Sequence, residues 1–179
     1  NLTSRCKLAC AHCYIEAGRG PADPDELSPA EARAVLGQIA SVNSEAVLIL
    51  TGGEPLLRPD IFDLIADASA RGFWTVLGSH GGLLDEKTAK RLIAAKLRGA
   101  GVSLDSLDPA RHDRFRGIAR AFEKTVRAVD VMREQGLAFL IEMTATRENR
   151  AELSGMAEFA IAKGAAALNV FFLVPTGRG

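Results

Sequence analysis

From residue 29 onward, short apolar runs alternate with amphipathic stretches, and the composition does not shift along the way. Such an alternation builds a parallel sheet, because parallel neighbours need a crossover long enough to hold a helix. Strands are expected at residues 46–50, 73–77, 101–105, 137–144 and 167–174, with a stub at 1–3. The run Ala46-Val47-Leu48-Ile49-Leu50 has no polar alternation and reads as a strand covered on both faces. Helices are expected at about 29–42, from Asp60 to Gly72, and at about 85–97, 121–135 and 151–163; Asp108 and Pro109 cap a short extra one. Ser28, Pro29 and Glu31 carry three signs of a helix start: a capping hydroxyl, a proline at the first position and a carboxylate that reaches back.

A complete eight-unit barrel takes about 250 residues, or roughly 31 per strand–helix unit. At 179 residues this chain supplies about six. The expected fold is therefore α/β, a partial (β/α)6 TIM-like barrel truncated at both ends. An open doubly wound sheet is the runner-up, since periodicity alone does not separate the two. The chain starts at Asn1 without a methionine and stops just past an apolar run, so residues 1–179 read as the core domain of a longer protein.

Charge and composition narrow the function classes. The 22 basic side chains balance 22 acidic ones, which argues against an electrostatic nucleic-acid or membrane-surface binder. No run of about 18 apolar residues and no signal-peptide pattern is present, so no membrane span is expected and a reducing cytoplasm is the default compartment.

All three cysteines fall within Cys6-Lys7-Leu8-Ala9-Cys10-Ala11-His12-Cys13. An odd number packed into eight residues reads as metal chemistry before disulfides. Their place after the first expected strand puts them at the mouth where barrel active sites form. Three thiolates leave one iron of a [4Fe–4S] cluster without a protein ligand. The competing reading is a closed zinc site in which His12 completes a Cys3His set, although a histidine next to Cys13 reaches the same tetrahedron poorly.

The second constellation is Gly52-Gly53-Glu54-Pro55 at the end of the second strand. Two glycines let a ligand approach the backbone, and Glu54 adds an anionic acceptor suited to an ammonium. Taken alone it is equally an ordinary strand-to-helix turn.

Together these residues resemble the radical S-adenosylmethionine (radical SAM) enzymes, whose two most specific motifs are this Cys-x3-Cys-x2-Cys loop and this Gly-Gly-Glu-Pro turn. The resemblance covers essentially the whole chain. It implies that Cys6, Cys10 and Cys13 hold a [4Fe–4S] cluster whose open iron chelates S-adenosylmethionine, and that Gly52, Gly53, Glu54 and Pro55 cradle the methionine ammonium. It further implies reductive cleavage of the cofactor to a 5′-deoxyadenosyl radical that takes a hydrogen atom from substrate, with flavodoxin or ferredoxin as electron donor. The protein then orients the cofactor and excludes quenchers, and no acid–base dyad is required. Ser103 and Asp105 match positions that contact the cofactor's ribose or carboxylate, and Arg116, in His112-Asp113-Arg114-Phe115-Arg116, matches an arginine that pairs with its carboxylate. The bland alternative makes Ser103 a strand filler and the arginines solvated helix charges. Two departures stand out: Ser79-His80-Gly81 replaces the usual Ser/Thr-Asn-Gly, and Lys7 replaces a common asparagine.

The tail from Asn169 to Gly179 and the opening Asn1–Cys6 resemble the haem-tailoring members, which include the alternative haem b synthase and the haem d1 maturation enzyme. This implies oxidation or decarboxylation of a tetrapyrrole side chain, with Arg178 a candidate for a propionate. The alternative within the superfamily is a peptide-modifying enzyme with extra C-terminal clusters. Both groups place auxiliary-cluster cysteines further along, and this chain has none after Cys13. The alternative from another class is a non-catalytic zinc-binding module.

Overall fold

The computed structural model describes residues 1–18, 20–21 and 23–179. Arg19 and Ala22, within the Gly/Pro/Asp-rich connection, lie outside the described residues. Five parallel strands, β1 (Val47–Leu50), β2 (Trp74–Ser79), β3 (Gly99–Ser103), β4 (Phe139–Ala145) and β5 (Leu168–Phe172), pair in sequence order. Helix α1 (Pro29–Val42) precedes β1; α2 (Ile61–Ala70) and α3 (Glu86–Ala94) follow β1 and β2. Between β3 and β4 lie α4 (Pro109–Arg116) and α5 (Ala121–Gln135), and α6 (Leu153–Lys163) precedes β5.

The strand order decides between the two candidate folds. A doubly wound sheet reverses its order at a switch point and places helices on both faces. Here every strand neighbours its predecessor, so the right-handed crossovers all fall on one side. The result is a curled α/β half-barrel, helices outside and one open inner face.

Register assigns the faces. Leu50, Leu77, Ala100 and Phe139 lie in one row across β1–β4, and Val102 and Ile141 continue it toward Leu168. This row meets Ile61, Ile65, Leu92, Val129, Met132 and Met156 of the helices in the main core. The inner row contains Gly78 opposite Gly101, which leaves the centre of that face open. Helix starts behave as expected: the Ser28 hydroxyl accepts from Glu31 N while the Glu31 carboxylate accepts from Ser28 N.

Two expectations are corrected. Strand β1 is covered on one face only, with Val47 and Ile49 64% and 62% exposed. It forms one edge of the half-barrel, and its inner side chains look into the open interior; an apolar run signals burial without saying on how many faces. The expected stub at 1–3 is not a strand of the sheet. Leu2 N donates to Thr51 O at 2.6 Å and Gly53 N to Thr3 O at 2.7 Å, so the segment lies beside the turn that follows β1. No helix among the described residues is long and apolar enough to cross a membrane.

Candidate active site

The C-terminal strand ends and the cysteine loop converge on a cavity of about 190 Å³. Cys6, Cys10 and Cys13 line it together with Gly52, Gly53, Ser79, His80, Ser103 and Arg116. The loop is tied down from several sides. Ala9 N and Ala11 N donate to the carbonyls of Arg116 and Phe115 at 3.1 and 2.9 Å, and Cys6 N donates to Gly18 O at 2.7 Å. The His12 ring stacks flat on Phe115, centroids 4.2 Å apart. Arg178 turns back onto the loop, its guanidinium donating to Cys10 O at 2.9 Å and Ala17 O at 3.1 Å. Its guanidinium is thereby engaged in holding the cysteine loop, which its expected role as a propionate partner does not anticipate.

All three thiols are free, and each sulfur accepts a hydrogen bond. Leu8 N lies 3.4 Å from Cys6 Sγ, Ala17 N 3.3 Å from Cys13 Sγ, and Arg116 Nη1 3.8 Å from Cys10 Sγ. Burial pushes the Cys6 thiol up to about 11, the Leu8 N–H pulls it back, and the charges of Cys10, Glu54 and Cys13 raise it further. A cation against the sulfur reverses that balance, since a coordinating thiol is deprotonated outright. Among the described residues no three His, Cys, Asp or Glu side chains gather as a single-ion site. Three N–H-bonded sulfurs around one cavity, with no fourth cysteine in the chain, fit a cluster that keeps one iron open.

The Gly-Gly-Glu-Pro turn has a structural reason of its own. A Cβ on Gly52 would stand 2.5 Å from Thr3 O, and one on Gly53 would collide with the Arg5 carbonyl. Bare backbone is therefore needed for the segment leading into the cysteines as much as for a ligand. Glu54 is fully buried and does not line the cavity. Its carboxylate accepts from Leu56 N, the Ser79 hydroxyl and His80 N at 2.9–3.1 Å, which locks this turn to the end of β2. His80 Nε2 stands 3.2 Å from Glu54 Oε2 but off the hydrogen-bonding direction, and Nδ1 accepts from Gly82 N. Burial foremost lowers the His80 pKa, against the pull of Glu54.

Behind the thiols, Asp105 and Arg116 form a buried pair. Asp105 Oδ2 accepts from Arg116 Nε and Nη2 at 2.6 Å each, and Oδ1 accepts from Thr144 N at 2.9 Å. Ser103 lines the cavity at the end of β3. Glu142 is not among the residues singled out by the sequence, yet it lines the same cavity from β4, with Oε1 lying over Gly101. Burial raises its pKa, Arg116 opposes that, and Asp105 adds to it. A single acidic residue at an inward position of an otherwise apolar strand is the signal that marks it.

Residues 1–160 match the Radical SAM superfamily. The chain belongs to that superfamily. Radical SAM enzymes use a [4Fe–4S] cluster and S-adenosylmethionine, and this radical SAM chain is an enzyme. It is 39% identical over 178 residues to the AdoMet-dependent heme synthase of Methanosarcina barkeri, covering 99% of this chain and 50% of that protein. It is 37% identical over 177 residues to the heme synthase of the same description from Nitratidesulfovibrio vulgaris, with 99% and 48% covered. Pre-heme d1 synthase of Dinoroseobacter shibae is 35% identical over 183 residues, with 100% and 44% covered. The chain thus spans about half the length of the curated relatives it matches. In fold it superposes on Streptococcus suis SuiB bound to S-adenosylmethionine with a TM-score of 0.82 at 19% identity, covering 97% of this chain and 40% of SuiB.

His112 is buried, and burial, followed by the Arg116 charge, lowers its pKa to about 4. An unfolded histidine titrates near 6.5, so below that value the unfolded chain takes up a proton that the folded radical SAM chain refuses. The associated stability is complete above pH 6.5 and fades as pH falls toward 4. Denaturant titration of the metal-free protein should show a loss of about 2 kcal/mol from this group between pH 7 and pH 5. His112→Asn should flatten the profile by that amount; an unchanged slope would show that His112 is protonated in the fold.

Proposed function

We propose that this chain is the radical-generating core of an enzyme that oxidises or decarboxylates a tetrapyrrole side chain. The observation that carries the reading is the cavity that gathers Cys6, Cys10, Cys13, Gly52 and Gly53, in a chain whose similar relatives include haem synthases. Cys6, Cys10 and Cys13 would hold the cluster, and Gly52 and Gly53 would present backbone to the methionine end of the cofactor. When bound, the cluster and S-adenosylmethionine supply a 5′-deoxyadenosyl radical that abstracts hydrogen from substrate. Burial of Cys6 and Cys10 limits solvent contact with the sulfurs to the cavity itself. Ser103 offers its hydroxyl to the cofactor, and Arg116 offers its Nη1 edge, which faces Cys10. Glu54 and Pro55 act through the turn they shape rather than by contact, and Asp105 acts by holding Arg116 in place. Flavodoxin or ferredoxin would deliver the electron, and residues 1–179 would be the core domain.

The test is anaerobic incubation of the reconstituted full-length protein that carries this core with iron coproporphyrin III, S-adenosylmethionine and dithionite, followed by mass spectrometry. The expected product has lost CO2 and two hydrogens from a propionate, or has gained an oxidised side chain. An unchanged porphyrin alongside continued cleavage of S-adenosylmethionine would contradict the tetrapyrrole assignment. The second reading, modification of a peptide, draws on mycofactocin maturase MftC of Mycobacterium tuberculosis, 33% identical over 179 residues, with 99% of this chain and 44% of that protein covered.

A further inference from the structure

A second, larger cavity of about 780 Å³ opens beside the cysteine loop, between α4 and the connection that follows β4. Its volume lies within the range of small-molecule sites, about 300–1,000 Å³. It contains no thiol, yet it adjoins the cysteine cavity. Ala11 of its wall stands between Cys10 and His12, Phe115 carries the stacked His12 ring, and Asp105 grips Arg116. The remaining wall is largely apolar, with Ala145, Leu153, Phe172 and Leu173. Phe172 is 82% exposed, a large aromatic face with nothing packed over it.

The rim carries an excess of cations in a chain whose overall charge is zero. Four arginines, Arg111, Arg114, Arg147 and Arg150, line the cavity. Arg111 pairs with Glu152, whose carboxylate also accepts from the Ser106 hydroxyl and Leu107 N. Arg114, Arg147 and Arg150 are exposed and make no ion pair among the described residues. The acidic wall residues are Asp105, committed to Arg116, and Glu148. An apolar slot with aromatic faces and three unpaired guanidiniums at its edge has the chemistry of a flat hydrophobic ligand that carries several carboxylates.

We propose that this cavity seats the substrate macrocycle and that Arg114, Arg147 and Arg150 take its carboxylates; the inference rests on the tetrapyrrole reading above. Fixing the propionates at the rim would place the ring edge toward Phe115 and the cysteine loop. Two of the three arginines sit on the connection after β4 and the third on α4, so the ligand would bridge two separate elements.

Binding of coproporphyrin III to the cluster-reconstituted protein, read by porphyrin absorbance and fluorescence, tests it. Arg147→Glu with Arg150→Glu should weaken Kd by about 30-fold or more, while the Lys/Lys pair should stay within about 5-fold of wild type. Arg114→Gln, on the other element, should weaken it by about 5–10-fold. A tetracationic N-methylpyridyl porphyrin, with the same macrocycle and opposite charge, should bind wild type at least about 10-fold more weakly than coproporphyrin III. Equal binding by the reversed pair, or equal binding of the cationic porphyrin, would overturn this site. If wild type converts iron coproporphyrin III while the reversed pair binds coproporphyrin III unchanged, the site is wrong and the tetrapyrrole reading stands. A wild type that leaves coproporphyrin III unbound would overturn both.

Discussion

Cys10→Ala should reconstitute with well under one four-iron cluster per chain and lose cleavage of S-adenosylmethionine. The loss should exceed the roughly 100-fold upper cost of an outer-shell change, because a direct ligand is removed. Cys10 sits in the middle of the loop, nearly buried, with Arg116 donating to its sulfur and Arg178 to its carbonyl. In the variant Arg116 keeps Asp105, and Arg178 keeps both of its backbone acceptors, since the carbonyl of residue 10 is unchanged. The fold should therefore survive while the cluster does not. Iron and sulfide analysis, together with the low-temperature EPR spectrum of the reduced protein, reads the result. Full iron content in Cys10→Ala would mean that another group ligates the third iron.

Gly53→Ala should disable the site without touching a ligand. The new methyl would run into the Arg5 carbonyl and come within 3.0 Å of Ala17 Cβ, both on the segments that carry the cysteines. It would also strain two hydrogen bonds, Gly53 N to Thr3 O at 2.7 Å and Glu54 N to Arg5 O at 2.8 Å. Overpacking costs about 1–3 kcal/mol, and each strained bond adds about 1 kcal/mol. The expectation is a loss on the order of 3–4 kcal/mol in denaturant midpoint analysis, with reduced iron incorporation. Gly20→Ala is the matched control, since a Cβ there meets nothing within 4 Å. If both variants fold and load iron alike, the close approach at Gly53 is not what seats the loop.

The elements of the half-barrel were legible because each is encoded locally. The run 167–174 and the observed Leu168–Phe172 differ only at the ends, and Ser28 caps α1 as its neighbours announce. Strand order is a long-range property, so the choice between a singly and a doubly wound sheet needed the paired registers. The same limit explains β1, whose apolar side chains said nothing of the open face under Val47 and Ile49.

In the site, the spacing of Cys6, Cys10 and Cys13 carried the chemistry, because three thiols so close in sequence must share a locale. The inward turn of Glu54, the return of Arg178 onto the cysteine loop and the position of Glu142 over Gly101 arise from contacts between residues 25 to 168 apart. Likewise, which arginines remain unpaired depends on where Glu152 and Asp105 fall in space, and nothing local distinguishes Arg111 from Arg114.

The most direct measurement is formation of 5′-deoxyadenosine by the anaerobically reconstituted protein given S-adenosylmethionine and dithionite. The expected result is a brown, air-sensitive protein that produces 5′-deoxyadenosine, and a Cys10→Ala variant that does not. A colourless protein that binds zinc stoichiometrically and forms no more 5′-deoxyadenosine than Cys10→Ala would contradict it.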